Sequence, residues 1–416
     1  MANLKYEYKE GITSGRVNNF LLTRVALGAI VLTMINAGLL FWKPLAKVDP
    51  DSLPAAHTWV WWAAQEFLEQ KKAPDVVMLG SSLLMHPVSR RDAAFLGQDI
   101  DYVKHHRSNY MEHLLAERGI TDAVCYNFAL PGGMVSDDYM IERAFFAQHK
   151  PKVLVLGLSI RDFIDNGVHC AGSTPAFKYL KRFCNIDDLV DISMPQLYQR
   201  ADYLFAKGLY LWGRKLDLQV LLAEKTKGML QPFYSRWFAP SLLAQADPER
   251  SQPSNLRAEV EEGMLIVKKD IPYSWDDNSM EYKKRYRSPN ERGVKVQDFF
   301  FDKLLKEARA QGIKVVIMNM PLTQDNHNLM PAGSYDRYLA TLKSQSDKYG
   351  CNFIDLDATH QFVRTDYYDT AHMNASGGKR LIDTMVASIS ANPELVAALK
   401  EGGATRPAVA SQGHAL

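Results

Sequence analysis

An uninterrupted apolar segment close to the N-terminus constrains this chain more than any other feature. Residues 25–42 read VALGAIVLTMINAGLLFW without a charged side chain, and residues 20–22 extend the segment beyond Arg24. A helix needs about 20 apolar residues to cross a bilayer, and an arginine near its end can extend its guanidinium to the headgroups. We therefore predict a membrane-spanning helix over residues 20–42.

A cleaved signal peptide is the alternative interpretation of this segment. Its apolar part would exceed the roughly 7–15 residues that are usual in such peptides. Residues 41–44 (FWKP) also lack the small side chains of a cleavage site. Both observations favour an uncleaved anchor.

The basic residues on either side of the span predict its orientation. Those before or at its start outnumber those shortly after it: Lys5, Lys9, Arg16 and Arg24 against Lys43 and Lys47. The positive-inside rule then places residues 1–19 in the cytoplasm. Everything after residue 43 is expected on the periplasmic or extracellular side of the plasma (inner) membrane. The tryptophans of residues 57–62 (HTWVWW) fit either the membrane interface or the core of a first soluble helix.

Composition excludes several classes of protein. The chain is 47% hydrophobic and 23% charged, as in ordinary globular proteins, and its net charge is only +2. Without a basic run, nucleic acid is not an expected partner. The four cysteines contain no C-x-x-C pair, so no metal site is predicted. Cys170 and Cys184 are equally compatible with a disulfide in an oxidising compartment and with two free thiols.

Short apolar runs bounded by turn residues predict buried strands in the remainder of the chain. They are residues 76–79, 123–128, 153–156, 315–318 and 353–354. Segments with helical periodicity lie between them, such as residues 296–309, which Gly312 separates from the next strand. This alternation predicts an α/β fold with a central parallel sheet covered by helices on both faces.

The alternation is interrupted by a long segment near the middle of the chain. Loops beyond roughly 15 residues usually have structure or function of their own. We predict a helical insertion over residues 166–292, with an amphipathic part at 201–229, placed over the mouth of the sheet. The main domain then comprises residues 43–165 and 293–391, and the composition of residues 392–416 predicts a disordered tail.

Sheets of this kind bind ligands at the carboxyl ends of their strands. The first predicted strand is followed by Gly80-Ser81-Ser82. A glycine lets the backbone turn sharply there and presents a hydroxyl group close to backbone N–H groups. Because the same residues are common in turns and helix caps, catalysis is indicated only if a base lies elsewhere in the chain.

Two D-x-x-H motifs near the C-terminus are candidates for that base. A carboxylate three residues before a histidine can orient the imidazole ring. Asp369 and His372 lie between the last predicted strand and the final helical segment, whereas Asp357 and His360 follow the strand immediately. The motif context favours Asp369 and His372.

Four ordered blocks of the sequence resemble the SGNH (GDSL) hydrolase superfamily. They are residues 80–83 (GSSL), 127–133 (NFALPGG), 157–159 (GLS) and 369–372 (DTAH). The resemblance implies a flavodoxin-like, three-layer domain in which Ser82 is the nucleophile, His372 the base and Asp369 its orienting partner. It also implies an oxyanion hole that includes the N–H groups of Ser82 and Gly132, and no metal or organic cofactor.

Two positions depart from the family pattern. Ser81 replaces the aspartate of the first block, which makes it a second candidate nucleophile. Ser159 stands where the family has an oxyanion-hole asparagine, a kind of donor whose removal costs about 3–4 kcal/mol. Ser159 and Arg161 are candidates to replace that donor. Arg161 could instead bind an anionic substrate or pair with the acidic residues that follow it, and Asn127 of the second block is a candidate substrate contact.

The variant blocks, together with a single N-terminal anchor, are most similar to the surface acyl-transfer branch of the superfamily. That branch includes proteins associated with membrane-bound O-acyltransferases of alginate acetylation and teichoic-acid D-alanylation. The resemblance implies a serine acyltransferase or esterase that acts on a surface polysaccharide or related polymer through an acyl-serine intermediate. The alternatives are a simple esterase or lipase-like hydrolase, and a non-catalytic partner that docks a multi-pass membrane O-acyltransferase.

Overall fold

A computed structural model describes residues 14–49, 51, 57–222, 225–226, 263, 265–287 and 291–401. The chain divides into two compact units. One comprises residues 1–52 and 201–242, and the other residues 53–200 and 243–416. The second unit contains the sheet and all of the sequence blocks described above.

The strands of the described residues are β1 (Val76–Gly80), β2 (Ile100–Asp101), β3 (Cys125–Asn127), β4 (Val153–Leu158), β5 (Ile266–Val267), β6 (Lys314–Asn319) and β7 (Asn352–Asp355). The helices are α1 (Ser14–Trp42), α2 (Trp59–Glu69), α3 (Ser82–Leu96), α4 (Asn109–Glu117), α5 (Val135–Phe145), α6 (Arg161–Ile164), α7 (Pro175–Leu180), α8 (Val190–Ser193), α9 (Leu197–Gly208), α10 (Tyr210–Gly213), α11 (Ser279–Tyr286), α12 (Glu291–Ala310), α13 (Gln324–His327), α14 (Ser334–Tyr349), α15 (Ala375–Ala391) and α16 (Pro393–Lys400). Short 3₁₀ helices cover Ala171–Ser173, Asp187–Leu189, Asp357–Thr359 and Arg364–Asp366.

The predicted parallel sheet is confirmed. Its strands lie in the order β3-β1-β4-β6-β7, and every neighbouring pair is parallel. Counted along the chain, these five strands have the order 2-1-3-4-5 of flavodoxin-like folds. All residues of β1 and β4 are buried, as expected for strands with helices on both faces. Strands β2 and β5 form a separate antiparallel pair.

Helices form two layers around this sheet. On one side α15 packs against α3 and α4, and on the other α12 packs against α5 and α14. This separation follows from right-handed crossovers in a sheet whose strand order reverses after β3. The tryptophans of residues 57–62 belong to α2, where they are half-buried. The α/β architecture expected from the sequence is therefore confirmed.

Glycine residues allow two close backbone contacts, one between strands β1 and β4 and one between helices α3 and α15. Gly80 has φ +149°, and a Cβ there would lie 2.4 Å from the Gly157 carbonyl oxygen of β4. Gly378 lies in the first turn of α15, where a Cβ would lie 2.2 Å from the Pro87 carbonyl oxygen of α3. Contact between α15 and α3 therefore requires the absence of a side chain at residue 378.

Gly378→Ala is expected to destabilise the protein by about 1–3 kcal/mol, the range of an overpacked core. In an open helical position the same change would stabilise by up to about 1 kcal/mol, because glycine is the poorer helix former. Thermal unfolding would measure the effect, with Ala387→Ser on the exposed face of α15 as control. An unchanged or higher melting temperature for Gly378→Ala would contradict this close contact.

Two segments at the edges of the predicted insertion and tail are helices that pack against the main domain, contrary to expectation. Helix α7, inside the predicted insertion, buries Phe177 and Leu180 against α5 and so forms part of the main core. Helix α16 occupies the start of the predicted disordered tail. This boundary is corrected because Asn392 caps α16 and Leu395 and Leu399 are buried. Residues 402–416 and most of 227–264 lie outside the described residues, as do Lys5 and Lys9.

Helix α1 contains a segment, Thr23–Trp42, that is long and apolar enough to cross a membrane. None of that segment is buried within the structure. The helix begins at Ser14, earlier than the predicted residue 20, so its first turns include Arg16. The four cysteines are free thiols, including Cys170 and Cys184, for which the sequence left a disulfide open.

Candidate active site

Ser82 is the first residue of α3, directly after β1 and Ser81. Its side chain is partly accessible, whereas Ser81 is 1% exposed and lies close to the Asp162 carboxylate. As the first helical residue, Ser82 has a backbone N–H without an acceptor inside the helix. The accessible hydroxyl and this N–H lie together at the carboxyl end of the sheet.

A chain of hydrogen bonds connects Ser82, His372 and Asp369. The Ser82 Oγ lies 2.9 Å from His372 Nε2, and His372 Nδ1 lies 2.7 Å from an Asp369 carboxylate oxygen. The other Asp369 oxygen accepts from the N–H groups of Ala371 and His372 at 2.8 and 2.7 Å. These bonds fix the carboxylate and leave Nε2 free to accept the serine proton. This is the geometry of a nucleophile, a base and a group that orients the base.

Contacts on several sides hold the loop that carries His372. The Thr370 carbonyl accepts from the Thr323 hydroxyl at 2.6 Å, and the Thr370 N–H donates to Asn278 at 3.1 Å. Asn374 caps α15 directly after the loop by accepting from two N–H groups of its first turn. Asn278 belongs to the predicted insertion, whose last part therefore contacts the loop that carries His372.

The second D-x-x-H motif is arranged differently. Asp357 accepts from Tyr335 and lies 2.9 Å from His327, not against His360. His360 is exposed, and its backbone has φ +51°. Equal spacing along the sequence thus produces a paired histidine in one motif and an exposed one in the other.

The second sequence block forms a turn against the nucleophile. The Leu130 N–H donates to the Gly80 carbonyl at 2.9 Å, and Gly132 has φ +72°. The Gly133 carbonyl accepts a hydrogen bond from the Arg161 guanidinium at 2.9 Å, and this bond helps to hold the turn in place. Asn127 begins this turn: it is buried, and its side chain accepts from the Ala129 N–H at 3.2 Å. In the structure, the observed hydrogen bond of the Asn127 side chain is therefore one within its own loop.

Ser159 directs both of its donors at one carboxylate. Its N–H and its hydroxyl lie 2.8 and 3.1 Å from an Asp162 oxygen, and the residue is 1% exposed. This arrangement gives it no free donor for an oxyanion. The family's asparagine thus has no direct replacement at this position.

Arg161 is buried in a group of carboxylates. It is 3% exposed and lies 3.4 Å from both Asp162 and Asp165, so it forms the internal ion pairs that the sequence left as an alternative to substrate binding. Burial raises the pKa of Asp162 and raises the pKa of Asp137 to about 6. The guanidinium opposes both increases. Arg161 therefore stabilises buried carboxylates and positions the Gly133 turn.

If the second-block turn stabilises an oxyanion, Arg161→Gln is expected to lower kcat by about tenfold or more with little change in KM, because Arg161 contacts that turn and not the surface of the site. It should also cost about 3–5 kcal/mol of stability, because the buried Asp162 carboxylate loses its cation, whereas Asp165 keeps its ion pair with Arg285. Ester turnover and thermal unfolding would measure both effects. Arg337→Gln is the matched control, because that arginine forms an exposed ion pair with Glu291, worth at most about 1 kcal/mol. A higher KM with unchanged kcat would instead indicate substrate binding by Arg161.

Aromatic residues and a second histidine surround His372, and sequence reasoning missed them. The Tyr368 ring stacks on His372 at 5.7 Å, and the His86 ring lies edge-on at 5.0 Å. His86 Nδ1 lies 2.8 Å from the Tyr102 hydroxyl and 3.2 Å from that of Tyr368. Burial, with His372 and Arg90 nearby, lowers the pKa of His86 well below its ordinary value. His86 is therefore neutral at pH 7 and adds no charge beside the base.

A signal for His86 was present in the sequence. It lies four residues after Ser82 in one helix, and side chains at that spacing share a face. No comparable signal existed for Tyr102, or for Tyr282, whose ring lies 6.5 Å from that of His372. Both positions depend on folding over long distances along the chain.

A cavity of about 110 Å³ lies beside the second-block turn. Its lining is mostly apolar and includes Trp59, Pro131, Gly132, Val168 and Pro175.

Among the described residues, no group of three or more His, Cys, Asp and Glu side chains is arranged to hold a metal ion.

No protein-family model matches the chain, and no curated protein matches its sequence. Solved structures that resemble it include a catalytic mutant of an acetylxylan esterase from Geobacillus stearothermophilus, with 10% identity, 77% of this chain and 95% of that chain covered, and a TM-score of 0.34. The acetyl xylan esterase AlAXEase has 11% identity, with 75% and 98% covered and a TM-score of 0.33. A candidate GDSL-like lipase from Parabacteroides merdae has 10% identity, with 77% and 97% covered and a TM-score of 0.36. At such low identities and TM-scores, chemistry must be inferred from this chain's own residues.

Proposed function

We propose that this chain is a membrane-anchored SGNH-type serine acyltransferase or esterase that acts outside the cytoplasm on a surface polysaccharide or related polymer. The observation that carries the proposal is the hydrogen-bond chain from Ser82 through His372 to Asp369. A partly accessible serine hydroxyl at a helix N-terminus, paired with an oriented imidazole, is suited to acyl transfer.

The chemistry has two half-reactions. Ser82 Oγ attacks the carbonyl carbon of an acyl ester while its proton passes to His372 Nε2, and the N–H groups of Ser82 and Gly132 stabilise the oxyanion. The intermediate collapses to acyl-Ser82, and the imidazolium returns the proton to the departing alkoxide. A sugar hydroxyl or a water then loses its proton to His372 and attacks the acyl carbon. The second tetrahedral intermediate breaks its bond to Ser82 Oγ, which takes that proton back from His372 and becomes a free hydroxyl. Asp369 holds the imidazolium in both steps.

The anchor and the cavity support the assignment of substrate class. A helix that holds the domain at a membrane surface would keep it close to polymers of the cell envelope. The cavity beside Gly132 offers apolar space for the acyl group near the proposed oxyanion hole. The acceptor, and whether it is a glycan hydroxyl or water, distinguishes a transferase from a simple esterase.

One observation favours a second candidate, a non-catalytic partner that docks a multi-pass membrane O-acyltransferase. Both donors of Ser159 are directed at Asp162, so the third-block donor of the family is missing. The intact chain of three catalytic groups favours the enzyme instead, because a docking protein has no need for an oriented base.

Complementation of a deletion strain would test the proposal. The measured quantity is ester-linked acyl groups on the surface glycan, released by mild base. The parent gene and Ser81→Ala should restore the parent level of acyl groups, which a transferase raises and an esterase lowers, whereas Ser82→Ala should leave the level of the deletion strain despite equal protein abundance. Restoration by Ser82→Ala, with loss in the deletion strain, would overturn the catalytic proposal in favour of the docking partner.

A further inference from the structure

Residues 201–222 pack on the anchor helix within the first unit. Helix α9 ends at Gly208 and α10 begins at Tyr210, so the backbone is interrupted between them. Asn36 of α1 pairs with both sides of this interruption: its Nδ2 donates to the Gly208 carbonyl and its Oδ1 accepts from the Tyr210 N–H, each at 2.8 Å. Tyr210 is also buried, and its hydroxyl accepts from the Leu45 N–H at 2.9 Å.

The position of Asn36 indicates the depth of this contact. Asn36 precedes Trp42, the last residue of the apolar segment, by six residues. At 1.5 Å per residue, Asn36 lies about 9 Å inside that end of the span. The groups bonded to it lie at a similar depth. Non-helical backbone is tolerated in hydrocarbon only where its polar groups are paired, and Asn36 provides that pairing.

The outer surface of the same segment is apolar. Large side chains that are 46–62% exposed include Leu204, Phe205, Leu211, Trp212 and Leu216. Lys207 and Lys215 are exposed among them, and the Lys215 ammonium pairs with Asp202 at 2.8 Å, so the charged groups of this surface lie within reach of the lipid headgroup region. The Trp212 indole N–H donates to Asp202 at 2.8 Å, so the ring has an apolar face and a satisfied polar edge. Such rings are enriched at membrane interfaces.

We propose that residues 201–222 insert into the lipid leaflet at the Trp42 end of the anchor, with Asn36 satisfying the backbone between α9 and α10. The occupant of the apolar face is lipid, because the face is continuous with a span whose own surface is unburied. The inference rests on the proposed membrane anchoring and deepens it: the chain contacts the bilayer through a second element as well as through its anchor.

Electron paramagnetic resonance of single nitroxide labels would test the insertion. The full chain, with its native cysteines replaced by alanine and its folding checked by thermal unfolding, is reconstituted in phosphatidylethanolamine–phosphatidylglycerol vesicles. Labels are placed at Val31 in the anchor, at Trp212, and at Ser344 on the exposed surface of α14. Oxygen reports lipid exposure and a water-soluble nickel chelate reports aqueous exposure. The label at 212 should collide several-fold more often with oxygen than with the nickel chelate. The label at 31 should behave in the same way, and the label at 344 should not. Leu216 offers a second labelling position.

The remaining outcomes separate the two proposals. Aqueous exposure at 212 with lipid exposure at 31 overturns the insertion and leaves the anchor intact. Aqueous exposure at both positions overturns the anchor and the insertion together. Protection of 212 from both reagents means that a protein covers the face, which also overturns the lipid proposal.

A matched pair of anchor variants tests the role of Asn36. Asn36→Leu removes both hydrogen bonds, so the label at 212 should gain several-fold in nickel accessibility while the label at 31 is unchanged. Thr33→Val removes a hydrogen bond to Ala29 inside the same helix and should leave the label at 212 in lipid. Equal responses to the two variants would overturn the specific role of Asn36.

Discussion

Ser82→Ala is expected to abolish covalent labelling by a serine-directed phosphonate and to lower turnover of a small acyl ester on the order of 10⁴–10⁶-fold. The cause is loss of the only hydroxyl that lies 2.9 Å from His372 Nε2 among the described residues. Mass spectrometry of the labelled protein and hydrolysis of 4-nitrophenyl acetate would measure the two effects.

Ser81→Ala is the matched control, since it removes an adjacent hydroxyl. Ser81 is 1% exposed beside Asp162, so a phosphonate should not reach it. Labelling and turnover should therefore persist in Ser81→Ala. If labelling disappeared in Ser81→Ala and persisted in Ser82→Ala, the nucleophile would be Ser81 and the proposed geometry would be wrong.

His372→Ala should reduce ester turnover by a similar factor, because a serine hydroxyl without a base is a poor nucleophile at neutral pH. Adding Ser82→Ala to it should cause little further loss, since the members of such a group act as a unit. Asp369→Asn should cost on the order of 10³–10⁴-fold, because the imidazole loses the carboxylate that orients it and stabilises its charge.

His360→Ala is the control for this series, because it removes the histidine of the second D-x-x-H motif. His360 is exposed and its neighbour Asp357 pairs with His327, so turnover should stay close to that of the parent. Equal losses at both histidines would show that His372 has no special role. Loss at His360 alone would move the proposed base to the other motif.

Much of the fold could be predicted from the sequence because buried parallel strands are continuous apolar runs. Residues 76–79 and 153–156 contain only apolar side chains, and both segments are strands at the centre of the sheet. The insertion was harder to delimit, because α7 is as apolar as a core helix and packs as one. Residues 393–400 (PELVAALK) contain strong helix formers after a capping asparagine, but they were grouped with the Pro-, Gly- and Ser-containing residues that follow, so this helix was missed.

Only part of the candidate site could be predicted from the sequence. The order of the blocks is visible in the sequence, so Ser82, Asp369 and His372 could be selected before their distances were known. The roles of Ser159 and Arg161 could not, because each depends on which neighbour occupies its donors after folding. The donors of Ser159 are occupied by Asp162, three residues away, through a buried contact that spacing alone does not predict.

The 290 positions that separate Ser82 from His372 also set an order of events during biosynthesis. Residues 14–42 and Ser82 leave the ribosome long before helix α15 has been made. Ser82 therefore lacks the proposed base until the C-terminal part of the chain has been made, and we expect the pair to form when α15 docks on α3 through Gly378. On the proposed mechanism, a chain that stops before residue 372 is inert, so nascent or truncated copies neither transfer nor hydrolyse acyl groups. The proposed reactivity therefore arises only when α15 and the loop before it join the core.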